Sequence, residues 1–272
     1  MNQVRMVVAQ ENDWRAFLTL AAAEGWRVPQ SEIAFHRRPG HSLALALRRG
    51  EETIGFVTAV PHQKSGWIGN LLVRQNERGQ GLGARLFDAA TEDLKKRGAG
   101  SLWLTASRLG EALYARRGFH PHGQVLRWVR SSGGEGKEAR HFATVLQAQA
   151  ADKAVWRESR ENLLAHLSTR NVWLAKGGSV ALLQHDREQQ IIGPWLKSGD
   201  GNGCWALLDE MVAVATPGRE LVIDAIDSPG AGRKLLSADF TCAGETLLMA
   251  AGATQGVRLD QLYALASLGS IG

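Results

Sequence analysis

Arg78-Gly79-Gln80-Gly81-Leu82-Gly83 stands between a short apolar run, Trp67 to Val73, and an amphipathic stretch, Ala84 to Arg97. The first reads as a strand. The second reads as a helix, with Leu86, Leu94 and intervening alanines on one face and Gly98 to Gly100 at its close. A strand that feeds glycines into a helix start makes an anion cradle. Without a Cβ, the chain turns its N–H groups together, and the unpaired amides and positive dipole end of the helix attract negative charge. A phosphate-bearing ligand is expected. The third glycine of the dinucleotide fingerprint G-x-G-x-x-G is missing, and no Gly-Lys-Ser or Gly-Lys-Thr follows to make a Walker loop.

What remains is R-x-x-G-x-G after a strand ending at Val73, and it resembles the acetyl-CoA pyrophosphate loop of the GNAT N-acetyltransferases. Leu113-Tyr114-Ala115-Arg116-Arg117-Gly118-Phe119 resembles that family's second signature, a helix that carries a tyrosine and closes on Gly-Phe. Thr105 to Tyr114, with Glu24-Gly25-Trp26, is similar to a branch of bacterial two-domain members with a GNAT-like C-terminal half.

The resemblance implies a mixed α/β fold, with a mostly antiparallel sheet flanked by helices and a second, smaller GNAT-like half. It implies acetyl-CoA as cosubstrate, held by Arg78, Gly79, Gln80, Gly81, Leu82 and Gly83, with Leu71, Leu72 and Val73 offering a backbone edge to the pantetheine arm. A main-chain N–H near Leu71 or Leu72 is expected to polarise the acetyl carbonyl. Tyr114 matches the tyrosine that protonates the departing sulfur, as a phenol protonated at neutral pH can do. Ser107 stands where many members carry asparagine, and it can still donate a hydrogen bond. No carboxylate occurs in Trp67-Ile68-Gly69-Asn70, where some members keep a general base, so Glu24 and His62 are the candidates, beside a water chain.

The elements expected around the loop are a strand Arg5–Ala9, helices Asn12–Ala23 and Pro29–Arg37, and a hairpin of Ser42–Arg49 with Thr53–Val60. A strand Ser101–Thr105, a helix Gly110–Arg117 and a strand Val125–Val129 follow. Ser131 to Lys137 reads as a flexible connector, giving a first domain 1–130, a linker 131–150 and a second domain 151–272. The second domain opens on a helix Lys153–Leu167 and repeats the earlier order. Gly69-Asn70-Leu71-Leu72-Val73 aligns with Ile192-Gly193-Pro194-Trp195-Leu196, and Tyr114–Phe119 with Leu235–Phe240. In that alignment Arg78 becomes Gly201, Gly81 becomes Cys204, Gly83 becomes Ala206 and Tyr114 becomes Leu235, while Asp200 brings like charge to the place of a pyrophosphate. The second half therefore reads as a degenerate copy without a cofactor site.

The 272 residues, 44% hydrophobic, suffice for two cored domains. No apolar run approaches a membrane span, and no signal-peptide pattern opens the chain, so a cytoplasmic location without membrane attachment is expected. Cys204 and Cys242 lack metal or redox spacing, and no metal is expected. The net charge of +5 is spread through mixed runs such as Glu92-Asp93-Leu94-Lys95-Lys96-Arg97, which argues against nucleic acid as a partner. The expected activity is acetyl transfer to a primary amine, with a small molecule as acceptor. The alternatives are an acetyl-CoA-binding regulatory pseudoenzyme and an acetyltransferase acting on protein lysine.

Overall fold

The computed structural model describes residues 3–197 and 204–272, so Asp200 and Gly201 of the internal alignment lie outside the described residues. The chain forms two compact units, residues 1–104 with 251–253 and 269–271, and residues 105–250 with 254–268 and 272. The boundary expected at Arg130 does not coincide with this division.

The first unit runs β1 (Val4–Val8), α1 (Glu11–Ala23), α2 (Gln30–His36), β2 (Leu43–Arg49), β3 (Glu52–Pro61), β4 (Ser65–Val73), a 3-10 turn (Gln75–Glu77), α3 (Leu82–Lys96) and the start of β5 (Ser101–Ala106). Strands β1 to β4 pair antiparallel in chain order, and α3 carries the chain over to β5, which runs parallel to β4. Strand β3 is buried from Thr53 to Val60 without alternation. A strand reads this way when both faces of its sheet are covered. On one side Trp14, Phe17 and Ala21 of α1 form a helical stripe against Phe56 and Leu72, with the Phe17 and Phe56 rings stacked at 4.6 Å. Asp13, fully buried beneath α1, accepts Arg48 Nε at 2.8 Å, Arg48 Nη2 at 2.6 Å and Thr53 Oγ1 at 2.6 Å. Burial pushes this carboxyl up, but the Arg48, Thr53 and Gln10 hydrogen bonds outweigh it and hold the pKa below its ordinary value.

The second unit contains α4 (Arg108–Ala115), β6 (His120–Arg130), α5 (Val145–Trp156), α6 (Glu161–Leu167), β7 (Val172–Lys176), β8 (Ser179–His185), β9 (Gln189–Lys197), α7 (Cys204–Val214), β10 (Glu220–Ile226), α8 (Ala231–Ser237), β11 (Thr241–Gly252) and β12 (Leu262–Ala264). Its strands lie in the order β11-β6-β10-β12-β9-β8-β7. Strand β6 is antiparallel to β10 on one side and to β11 on the other. Residues 120–130 therefore take both their sheet partners from the later half of the chain. His120 and His122 open this strand.

Two expectations fail here. The single helix Lys153–Leu167 is two helices, since the chain turns at Arg157 with φ +60 and restarts at Glu161. The connector is not mobile: Gly134 N–H donates to Thr216 O, Gly136 N–H to Ala215 O and Lys137 N–H to Ala213 O, and α5 begins inside the span 131–150. Glycines 133 and 134 are there because neighbouring backbone comes too close for a side chain. An added Cβ on Gly134 would overlap Ala215, and one on Gly133 would overlap the Thr216–Arg219 turn. Gly134→Ala should lower stability by about 2 kcal/mol, within the range for severe backbone conflicts. Thermal unfolding reads this directly, and a midpoint equal to wild type would mean that the connector yields freely.

Candidate functional site

Strand β4 ends at Val73, and one 3-10 turn later the chain reaches Arg78 in extended conformation. Gly79 and Gly81 then take φ of +80 and +73, with no atom within 4 Å of an added Cβ at either. The left-handed backbone, rather than crowding, is what calls for glycine there. Gly81 caps α3, and its carbonyl takes the N–H of Arg85 at 3.1 Å. The helix starts at Leu82, two residues earlier than the sequence suggests, so Leu82 and Gly83 belong to its first turn. That turn holds no acidic residue, and its opening amides have no partner further back in the helix. Residues 78–81 are exposed.

Three arginines around this loop, Arg49, Arg74 and Arg78, pair with protein partners. Arg78 Nε donates to Val73 O at 2.9 Å, and its Nη2 pairs with Glu24. Two candidate site residues far apart in sequence thus meet, with Arg78 spanning the turn and Glu24 bracing it. Arg74 pairs with Glu52 at 2.7 Å and Arg49 with Glu77 at 2.7 Å, and each arginine holds its partner's carboxyl below the usual range. Gln80 Nε2 donates to the same Glu77 carboxyl. The attraction for an anion rests on backbone amides more than on free guanidinium groups.

Strand β4 carries a bulge just before the loop. Thr58 of β3 faces Gly69 and Phe56 faces Leu72, so Val57 stands opposite both Asn70 and Leu71. Asn70 takes φ +53, and its side-chain amide donates to Thr58 Oγ1 at 3.2 Å. Its main-chain N–H, left without a β3 partner, donates to Gly269 O at 3.2 Å. The exposed strand N–H therefore belongs to Asn70, one position before the Leu71–Leu72 pair that sequence pointed to. Leu71 is half-buried, while Leu72 and Val73 are buried. Strands β4 and β5 pair only from Ser65–Ser101 to Trp67–Trp103. His62 lies beyond the opposite end of β4, joined to Ser65 O, and so away from the loop.

In the second unit, Tyr114 sits on the last turn of α4 and is 8% exposed. Its ring lies back over Gly110, where an added Cβ would come within 2.7 Å of the ring and 3.1 Å of the hydroxyl. Burial pushes its phenol up to about 12. Ser107 is the exposed N-cap of α4; its carbonyl accepts Gly110 N–H at 2.9 Å, and its side chain makes no capping bond.

The internal repeat is visible in β9. Ala181 of β8 faces Trp195 and Leu183 faces Ile192, so β9 bulges at Gly193-Pro194, the positions aligned with Asn70-Leu71. Pro194 has no N–H to offer there. Strands β9 and β10 pair over Gln189–Ile191 and Glu220–Val222, after which β12 lies between them, bonded to both. The chain's own strand fills this opening, and Gly193 admits Leu265 O where a Cβ would clash. Cys204 and Cys242 are both free thiols. Among the described residues there is no metal-ligating cluster, and no helix is long and apolar enough to cross a membrane.

Residues 9–119 match the model of the acetyltransferase (GNAT) family. No curated protein matches the chain. Among solved structures, a candidate acetyltransferase from Pyrococcus horikoshii superposes with a TM-score of 0.76 at 18% identity, over 99% of this chain and 96% of its own. A GCN5-related N-acetyltransferase from Sphaerobacter thermophilus gives 0.65 at 18% identity, over 95% and 98%. A tandem GNAT protein from the clavulanic acid biosynthesis pathway gives 0.57 at 14%, over 92% and 99%. At these identities the likeness is one of fold, and it extends across both halves.

The buried phenol of Tyr114 gives a pH-dependent signature. Its pKa is raised above the unfolded value near 10, so its contribution to stability is whole below about pH 10 and is lost as pH climbs through about 12. In a Tyr263→Phe variant, which leaves Tyr114 as the chain's single tyrosine, phenolate absorbance should appear near pH 12. A midpoint near 10 would mean that the ring is solvated.

Proposed function

We propose, on the premise that residues 9–119 form an acetyltransferase domain of the GNAT family, that this protein transfers acetyl from acetyl-CoA to a primary amine of a small molecule. The observation that carries this reading is the exposed turn Arg78–Gly81. It has two left-handed glycines, opens onto the first-turn amides of α3 and faces no carboxylate from that turn. Such a cradle fits a pyrophosphate. Acetyl-CoA supplies an acetyl group activated as a thioester.

The remaining steps belong to the chain. Gly79, Gln80, Gly81, Leu82 and Gly83 hold the phosphates through backbone, and Arg78 shapes their turn. The Asn70 N–H and the edge of Leu71, Leu72 and Val73 orient the acyl arm, with a strand N–H drawing electron density onto the carbonyl oxygen. Tyr114 Oη gives its proton to the sulfur that departs. Its raised pKa keeps that proton in place at neutral pH, although it also makes the phenol a weaker acid. Glu24 supports the loop through Arg78 and is not the base. The second half binds no acetyl-CoA, because β12 occupies the opening beside the β9 bulge, bonded to both β9 and β10. A cytoplasmic setting without nucleic acid or membrane partners completes the reading.

Calorimetry on the full chain should give one acetyl-CoA per chain. Two equivalent sites would overturn the assignment of the second half. Gly81→Asp combines a strained φ with a charge facing phosphate and should abolish binding. Tyr114→Phe should leave acetyl-CoA affinity unchanged and lower turnover by roughly 10²-fold, read as free-thiol release with a panel of primary amines. Turnover equal to wild type would make Tyr114 a packing residue.

A further inference from the structure

Above the β4 bulge lies a second feature of the first unit that the reading so far leaves unused. Glu32, on α2, is 5% exposed, and its carboxyl accepts a hydrogen bond from Ser270 Oγ. Ser270 is fully buried, and the peptide before it gives its Gly269 carbonyl to the Asn70 N–H at 3.2 Å. Gly69 makes this approach possible. An added Cβ there would overlap Gly269 O and lie 2.6 Å from the Ser270 Cα. Residues 269–270 thus make two polar contacts at once: an acyl oxygen on a strand N–H, and a hydrogen-bond donor on a carboxyl group.

Those are the two contacts that acyl transfer to an amine requires at one place. The carbonyl oxygen needs a fixed donor as negative charge grows on it, and the attacking amine needs an acceptor for the proton it sheds. We propose that Glu32 is the proton acceptor of the transfer centre beside the Asn70 N–H, with Gly269 O standing where the acetyl oxygen binds and Ser270 Oγ where the amine binds, so that acetyl-CoA and the amine together displace this internal occupant. This rests on the acetyl-CoA reading above. In the step itself the amine nitrogen bonds to the acetyl carbon and the carbon–sulfur bond breaks. The amine's proton passes to Glu32, and the sulfur takes a proton from Tyr114. Glu32 meets the need for a carboxylate base that the strand Trp67–Asn70 does not supply. Its signal in the sequence is faint, because a glutamate on a short helix reads as a surface charge and its burial comes from residues 238 positions away.

The test uses the full chain with acetyl-CoA, the panel of primary amines, and water as acceptor when amine is omitted. Glu32→Gln preserves shape and can still accept Ser270 Oγ, so folding and acetyl-CoA affinity should hold, the latter within about threefold, while thiol release falls by about 10²-fold. Glu32→Asp, which keeps a carboxylate, should recover part of that loss. Ser270→Ala frees the occupant from Glu32, so the KM for amine should drop several-fold and acetyl-CoA should bind at least as tightly as to wild type. Undiminished turnover in Glu32→Gln, or an unchanged amine KM in Ser270→Ala, overturns the subsite even though acetyl-CoA binds. So does acetyl-CoA binding with no thiol release, to amine or water, by any of these proteins. Absence of acetyl-CoA binding in both wild type and Ser270→Ala, each folded by thermal melt, instead overturns the cosubstrate reading and the subsite with it.

Discussion

One extra residue in β4 sets the terms for everything built around it. A regular antiparallel partner would have left Asn70 and Leu71 in register with β3, one N–H pointing to each side. With Val57 facing two residues instead of one, the Asn70 N–H turns off the ladder, and an amide that strand pairing would otherwise consume becomes a donor to something else. The side chain pays part of the cost, since asparagine tolerates φ > 0 better than other non-glycine residues and here also reaches Thr58 Oγ1. The strand then still ends on time at Val73, so that the glycine turn and α3 follow from a fixed anchor.

The cradle after β4 shows which electrostatic effect wins. Arg49, Arg74 and Arg78 stand around the loop, and each is paired, with Glu77, Glu52 and Glu24 respectively. Such solvent-screened pairs contribute little to stability. Their consequence is geometric. They hold the turn in place and offset much of its side-chain charge, so oriented amides carry a larger share of the local positive potential. The overall charge of +5 therefore says little about this loop.

Legibility in sequence followed the range of the interactions. The glycine turn, the start of α3 and the strand before it could be read to within two residues, because left-handed glycines and apolar periodicity are local signals. The pairing of Glu24 with Arg78 could not, since 54 residues separate them and neither carries a mark of the other. Ser131 to Lys137 misled for a more instructive reason. Glycine permits both freedom and close approach, and composition alone does not distinguish them; here the crowding of Gly133 and Gly134 against the 215–219 turn decides for close approach. Strand β6 was recognised as a strand but not placed, because its partners β10 and β11 come from the far end of the chain.

The repeat in the second unit separates what a fold requires from what chemistry requires. The β9 bulge survives at the aligned position, and with it the divergence of β9 from β10, because register and core packing depend on them: Ile192, Trp195 and Leu196 are all buried. Gly193, aligned with Asn70, keeps its N–H, while Pro194 beside it has none to offer, and the edge at this bulge is covered. Strand β12 covers it, bonded to β9 through Leu262 and Ala264 and to β10 through Ala264. Near β4 the contrast is one of degree. There the neighbouring residue is a glycine that admits a second chain, and what lies over it is a short peptide rather than a strand of the sheet. An opening closed by a paired strand has become core, whereas the one beside β4 is closed by a short peptide whose contacts include the Gly269 carbonyl on the Asn70 N–H and the Ser270 hydroxyl on Glu32.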